Sequence, residues 1–138
     1  MTEHMDERSV MELRVALTAR EFERMEKFYR QGLGLEPSQS WPSDQGRAVV
    51  LELGRAVLEL FDEKQAGTVD QIEAGRRVSG PIRFALKVPD LKAAMERLLA
   101  NGATLVHPPV VTPWGDTNVR LQDPEGMQVT LFQVAERA

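Results

Sequence analysis

The chain has 138 residues, a formal net charge of −4, 42% hydrophobic and 28% charged residues, and no cysteine. That is the size of one domain, burying about two-thirds of the surface of its unfolded chain. The absence of cysteine excludes disulfides, zinc ribbons, iron–sulfur clusters and thiol nucleophiles. Seventeen Lys+Arg against twenty-one Asp+Glu give no basic stripe for nucleic acid, and no apolar run reaches the roughly 18 residues of a membrane span.

The opening MTEHMDERSV holds no apolar signal stretch. A cytoplasmic location is therefore expected, with residues 1–10 as a loose tail. Arg14–Thr18 is short, apolar and β-rich and reads as a strand. Phe22, Met25, Phe28 and Tyr29 then make one apolar helical stripe, with Gly32 as its stop. Strands follow at Glu36–Trp41, Ala48–Leu53 and Ala56–Phe61, the last two joined by a tight Leu53-Gly54-Arg55 step. Asp62–Gly80 is polar with scattered charge and reads as a connector. Ile82–Val88 is the next strand. Asp90 N-caps a helix with Leu91, Ala94, Met95 and Leu98 on one face, and Gly102 stops it. Strands at Thr104–Val111, Thr117–Gln122 and Met127–Gln133 close the chain, the last two linked by a DPEG turn.

The second half repeats the first. RVALTAREF at Arg14–Phe22 matches RFALKVPDL at Arg83–Leu91 with an offset of 69. Glu59-Leu60-Phe61 matches Thr130-Leu131-Phe132 at 71, and Gly32 matches Gly102 at 70. Three ordered matches at nearly constant offset indicate a duplicated βαβββ unit. The expected organisation is a tail at 1–10, a first module at 11–63, a connector at 64–80 and a second module at 81–134. Together they form one α+β domain with a curled mixed sheet.

The opening RVALTAREFERMEKFYRQGLGL, the hairpin end VLELFDE, the second opening IRFALKVPDL and the closing PWGDTNVRLQDPEGMQVTLFQ resemble the vicinal oxygen chelate superfamily. This is the family of glyoxalases, bleomycin-resistance proteins and dioxygenases. The resemblance runs from about Glu12 to Phe132. It implies that each module curls into half of a cup, that a ligand sits in the hollow, and that the chain pairs as a homodimer. Fold does not fix reaction in such a family. Strand alternation sends Arg14, Ala16 and Thr18 to the cup and Val15 and Leu17 to the helix. Arg83, Ala85 and Lys87 also face the cup, Val57, Glu59 and Phe61 share a face, and so do Gln128, Thr130 and Phe132.

Metal-dependent relatives place ligands on the first and last strand of each module. By resemblance those positions are Arg14, Glu59, Arg83 and Thr130, of which Glu59 alone suits a divalent cation. A guanidinium stays protonated and has no lone pair to give. His4 lies in the tail and His107 reads as a surface residue before Pro108-Pro109. The expectation is no metal and no cofactor.

Two arginines facing one centre need compensation. Either Glu59 neutralises one of them while carbonyls or water satisfy the other, or two Arg against one Glu leave a positive excess. Lys87 and Arg120 would add to that excess if they face inward. An anionic ligand would balance it through bidentate contacts. Phe61 and Phe132 either fill core or flank a flat ligand. Trp41 and Trp114, in Pro/Gly-rich segments, either cover a pocket mouth or pack on a dimer partner. The expected ligand-binding set is Arg14, Glu59, Phe61, Arg83, Trp114, Thr130 and Phe132. Three functions fit this pattern. One is a metal-free binder of a small anionic or mixed-polarity molecule, like the bleomycin-resistance branch. Another is a metal-independent lyase or isomerase of a small oxo-acid, with Glu59 as base and both arginines as electrostatic stabilisers. The third is a module whose cup its own side chains fill.

Overall fold

The computed structural model of the chain describes residues 9–54 and 56–135. Most of the expected tail, His4 included, lies outside the described residues, as does Arg55 in the expected hairpin step.

The first module contains β1 (Glu12–Ala19), α1 (Phe22–Leu33), β2 (Pro37–Ser43), β3 (Gly46–Glu52) and β4 (Ala56–Asp62). A helix, α2 (Glu63–Ala74), occupies most of the connector. The second module contains β5 (Ile82–Lys87), α3 (Leu91–Ala100), β6 (Thr104–Val111), β7 (Thr117–Gln122) and β8 (Gln128–Gln133). All eight strands form one sheet in the order β2-β3-β4-β1-β5-β8-β7-β6. β1 pairs parallel with β4 and β5 parallel with β8. The modules join at the centre, where β1 and β5 run antiparallel with Leu13 opposite Leu86 and Ala16 opposite Arg83.

Period-two alternation divides the two faces. Val15 and Leu17 pack with Phe22, Met25 and Tyr29 of α1 against Val49, Leu51, Leu58 and Leu60. In the second module, Leu91, Ala94 and Met95 of α3 pack over Val119, Leu121 and Leu131. The opposite face of β1 carries Ala16, which clusters with Ala48, Phe61 and two residues of α2, Ala66 and Val69. The connector helix therefore lies on the face opposite α1 and α3.

Asp90 caps α3 as expected, accepting the Ala93 N–H at 3.1 Å. The first helix ends differently from the sequence expectation. It runs through Gly32 to Leu33 and stops at Gly34, whose φ of 67° is left-handed. The Leu35 N–H returns to the Arg30 carbonyl at 2.8 Å, and Leu35 packs into the core. Of the two glycines in the GLGL run, the second takes the left-handed turn that lets the chain fold back. Asp62 caps α2 by accepting the Gln65 N–H at 2.7 Å. Gly46, with φ 128°, abuts that same turn: a Cβ there would stand 2.2 Å from the Gln65 nitrogen. The β2–β3 turn and the start of α2 are thus in close contact, reinforced by the Thr68 hydroxyl donating to the Gln45 carbonyl at 2.6 Å.

Candidate functional site

Between the sheet and α2 lies a cleft of about 630 Å³ whose walls come from both modules of the single chain. Every residue of the expected binding set borders it: Arg14, Glu59, Phe61, Arg83, Trp114, Thr130 and Phe132. The register explains this convergence. Arg83 and Glu59 both sit beside Ala16, one on each flanking strand, so a small residue separates two large polar ones. A second hollow of about 550 Å³, lined by Met11, Glu12, Glu52 and Gly54 among others, shares Arg14 with the cleft.

The four polar positions fare differently. Arg14 donates from Nε to Glu12 at 3.0 Å, and its Nη1 stands 3.8 Å from Glu59. Its guanidinium covers the Phe132 ring at 4.8 Å. Arg83, on the other module, lies over Phe61 at 5.9 Å. Each arginine thus stacks on the phenylalanine of the opposite module, and both phenylalanines are buried. The rings line the cleft, and a guanidinium lies over one face of each.

Thr130 is fully engaged. Its hydroxyl donates to Glu73 at 2.6 Å and accepts from Arg83 Nη1 at 2.9 Å and Arg120 Nε at 3.2 Å. Arg120 does turn inward, with 0% of its surface exposed. It adds no free charge, because Asp70 and Glu73 of α2 accept from its Nη1 and Nη2 at 3.0 and 2.8 Å. Gln128 and Ser79 accept from it as well. Asn118 donates to the other Glu73 oxygen at 2.7 Å, which leaves its own Oδ1 buried with no partner among the described residues.

The expected balance of two arginines against one glutamate omitted these helix carboxylates. Asp70 and Glu73 are 1% and 2% exposed. Burial pushes the Asp70 carboxyl up. The Ser79 and Val78 N–H groups, the Ser79 hydroxyl and Arg120 outweigh that push and hold it at about 2. Burial opposes ionisation of Glu73 too, but Arg83, Arg120 and its hydrogen bonds hold it below the usual range.

Glu59 is the contrary case. Burial raises its carboxyl above the ordinary value, and the opposing pull of Arg83 and Arg14 does not offset it. Among the described residues no donor hydrogen-bonds to it, and Arg14 is the sole cation within ion-pairing distance. Arg83 is 5% exposed, and no described carboxylate stands within 4.0 Å of its guanidinium. Thr130 accepts from one of its nitrogens. The others have no partner among the described residues and are not among the described atoms sealed from solvent. They open onto the cleft that Arg83 lines.

This donor set does not fit the divalent ion of metal-dependent relatives. Arg14 and Arg83 have no lone pair to offer, and the Thr130 oxygen has spent its proton and its lone pairs on three neighbours. Glu59 remains as one carboxylate where such a site needs three or four ligands. No three His, Cys, Asp or Glu side chains gather as a metal site among the described residues. The sequence reasoning missed α2 and with it Asp70 and Glu73. The available signal was the buried stripe Ala66, Val69, Asp70, Glu73 and Ala74, which has helical spacing but two acids in its middle.

Two βαβββ modules curled into a single-chain sheet around a polar-centred cleft define a protein of the vicinal-oxygen-chelate type. The chain belongs to the glyoxalase/bleomycin resistance protein/dioxygenase superfamily, whose family model matches residues 13–131. Solved structures with the same fold include a member of that superfamily from Vibrio splendidus 12B01. It is 16% identical, with a TM-score of 0.62, and the match covers 88% of this chain and 97% of that one. The methylmalonyl-CoA epimerase of Mycobacterium tuberculosis is similar at 17% identity and TM-score 0.62, covering 93% and 89%. The Streptomyces coelicolor methylmalonyl-CoA epimerase, in complex with 2-nitronate-propionyl-CoA, is similar at 17% identity and TM-score 0.67, covering 93% and 99%. At these identities the likeness shows the fold. No curated protein matches the chain in sequence.

Proposed function

We propose that this protein binds a small organic anion in the cleft without a metal, with the acidic group of the ligand on Arg83. One observation carries the reading: a guanidinium that is 5% exposed, with no described carboxylate within 4.0 Å and with N–H groups facing the cleft. Glu59 and Glu73 act on this guanidinium only from beyond ion-pairing distance, and a bound carboxylate, phosphate or enolate would add direct charge-assisted hydrogen bonds. Glu59 borders the same cleft, and its burial disfavours the charged carboxylate that would oppose an anion there. Thermal-shift measurements on small acids and their neutral amides test the reading. Acids raise the melting temperature and matched amides do not; an equal response to both contradicts it.

A second reading is favoured by the position of Glu59 alone. A carboxylate lifted by burial and facing a cleft suits a general base. As a base it would take the proton next to the carbonyl of an oxo-acid. The C–H electron pair would become the C=C bond as the carbonyl π pair moves onto oxygen, and Arg83 and Arg14 would stabilise that enolate until the proton returns. The epimerases among the similar structures carry activities of the kind this fold can host. Deuterium exchange into 2-oxobutanoate, catalysed by the native protein and lost in Glu59→Gln, would establish it, whereas exchange at the uncatalysed rate rejects it. A cytoplasmic homodimer completes the proposal, with the assembly read by sedimentation.

A further inference from the structure

The cleft has a second recognition element at its rim. Trp41 lies on β2 and Trp114 in the loop between β6 and β7, so they come from opposite edges of the eight-stranded sheet. Both border the same cleft, which places them on facing rims of the curled sheet. They are 44% and 50% exposed.

Neither indole packs against another ring or a guanidinium among the described residues. The aromatic pair there is Phe28–Tyr29, and the stacked cations lie on Phe22, Phe61 and Phe132. A guanidinium lies over one face of each inner phenyl ring, and the rim indoles carry none among the described residues.

The backbone holds both indoles in place. Trp41 sits opposite Ala48 in the β2–β3 ladder. The Trp114 loop is closed by Thr112 N–H to Asp116 O at 2.8 Å, Gly115 N–H to Thr112 O at 2.9 Å, and Asp116 N–H to the Thr112 hydroxyl at 3.2 Å. Gly115 at φ 96° supplies the left-handed step of that turn. Both indoles thus stand half in water at the rim on hydrogen-bonded backbone, where a ligand can reach them.

From this we infer that the ligand is an aromatic acid, its flat ring held at the rim by Trp41 and Trp114 and its acidic group directed to Arg83. The inference rests on the anion-binding reading. Stacking on each indole adds about 2- to 12-fold in affinity beyond area burial, so a planar ring is preferred over a saturated one of the same size.

The chain has two tryptophans, so its tryptophan emission reports on these two positions alone. The probes are 1-naphthoate, its fully saturated counterpart and 1-naphthylmethylammonium, titrated by calorimetry and by emission. 1-Naphthoate is expected to perturb the emission on binding and to bind about fivefold or more tighter than the saturated acid. Trp114→Leu and Trp41→Leu, both at solvent-exposed positions, are each expected to reduce that preference about 2- to 12-fold while the saturated acid binds as before. Equal binding of the two acids by the native protein overturns the ring inference and leaves the anion reading standing. Failure of both acids to bind overturns both. Tighter binding of the ammonium than of 1-naphthoate overturns the assignment of an acid.

Discussion

The two halves of the cup present opposite solutions at equivalent places in the repeat. Glu59 on β4 and Thr130 on β8 correspond, as do Arg14 and Arg83. Around Thr130 the hydroxyl is fully engaged: Arg120 bonds to five residues, and Glu73 accepts from three. Around Glu59 no described donor hydrogen-bonds to the carboxyl, and the Arg83 nitrogens other than Nη1 have no described partner. The difference comes from outside the repeat. The connector helix directs Asp70 and Glu73 to the second module, to Arg120, Asn118 and Thr130, and among the described residues gives no hydrogen bond to the first module's glutamate. Equivalent positions of a duplicated fold thus differ: Thr130 is closed into a buried network, whereas Glu59 is not. Buried polar groups stabilise only where their partners are complete.

Breaking the closed half has the largest effect. Glu73→Ala strands Arg120, Thr130 and the Asn118 amide in the interior. It is expected to cost about 3–5 kcal/mol in urea unfolding, the scale for removing one partner of a buried pair. Acid titration attacks the same half through Asp70. Its folded value of about 2 lies below the ordinary 3.8. The stability it contributes is fully present above the unfolded value and is lost as pH falls through the folded one. The expected loss is about 2 kcal/mol between about pH 4 and pH 2, and an Asp70→Asn variant should show a shallower pH slope there.

The open half responds with the opposite sign. The folded value of Glu59 is raised above 4.5, so stability falls as pH climbs from the unfolded value through the folded one. Glu59→Gln removes that penalty. It is expected to raise the melting temperature by a few degrees at neutral pH, with the gain vanishing below about pH 4. The smallest effect falls at the edge of the network. Arg77 is partly solvated and pairs with Glu63 at 2.7 Å and Asp70 at 3.0 Å. Asp70 keeps Ser79, Val78 and Arg120 without it, so Arg77→Ala should cost about 1 kcal/mol or less.

Much of this frame was legible because the repeat and the strand alternation agree. Val15 and Leu17 face α1 and Ala16 faces the cup because period two leaves no other arrangement once one face is buried. The four polar positions were drawn from the family resemblance, and all of them line the cleft. What escaped was α2, since Asp70 and Glu73 stand where a buried helix face ordinarily shows apolar residues, and their partners Asn118, Arg120 and Thr130 are 45 to 57 residues distant in sequence. Composition could not reveal that these acids had their arginine elsewhere. Nor could it choose between Gly32 and Gly34, because either glycine tolerates the left-handed turn and the packing of Leu35 decides which one takes it.

The central claim is that Arg83 is a buried cation awaiting an anion. Calorimetric titration of 1-naphthoate into the native protein and into Arg83→Met at neutral pH tests it most directly. The account predicts measurable binding to the native protein and a loss of at least about tenfold in the variant, the scale of a charge-assisted hydrogen bond. Equal affinity for both proteins would contradict it.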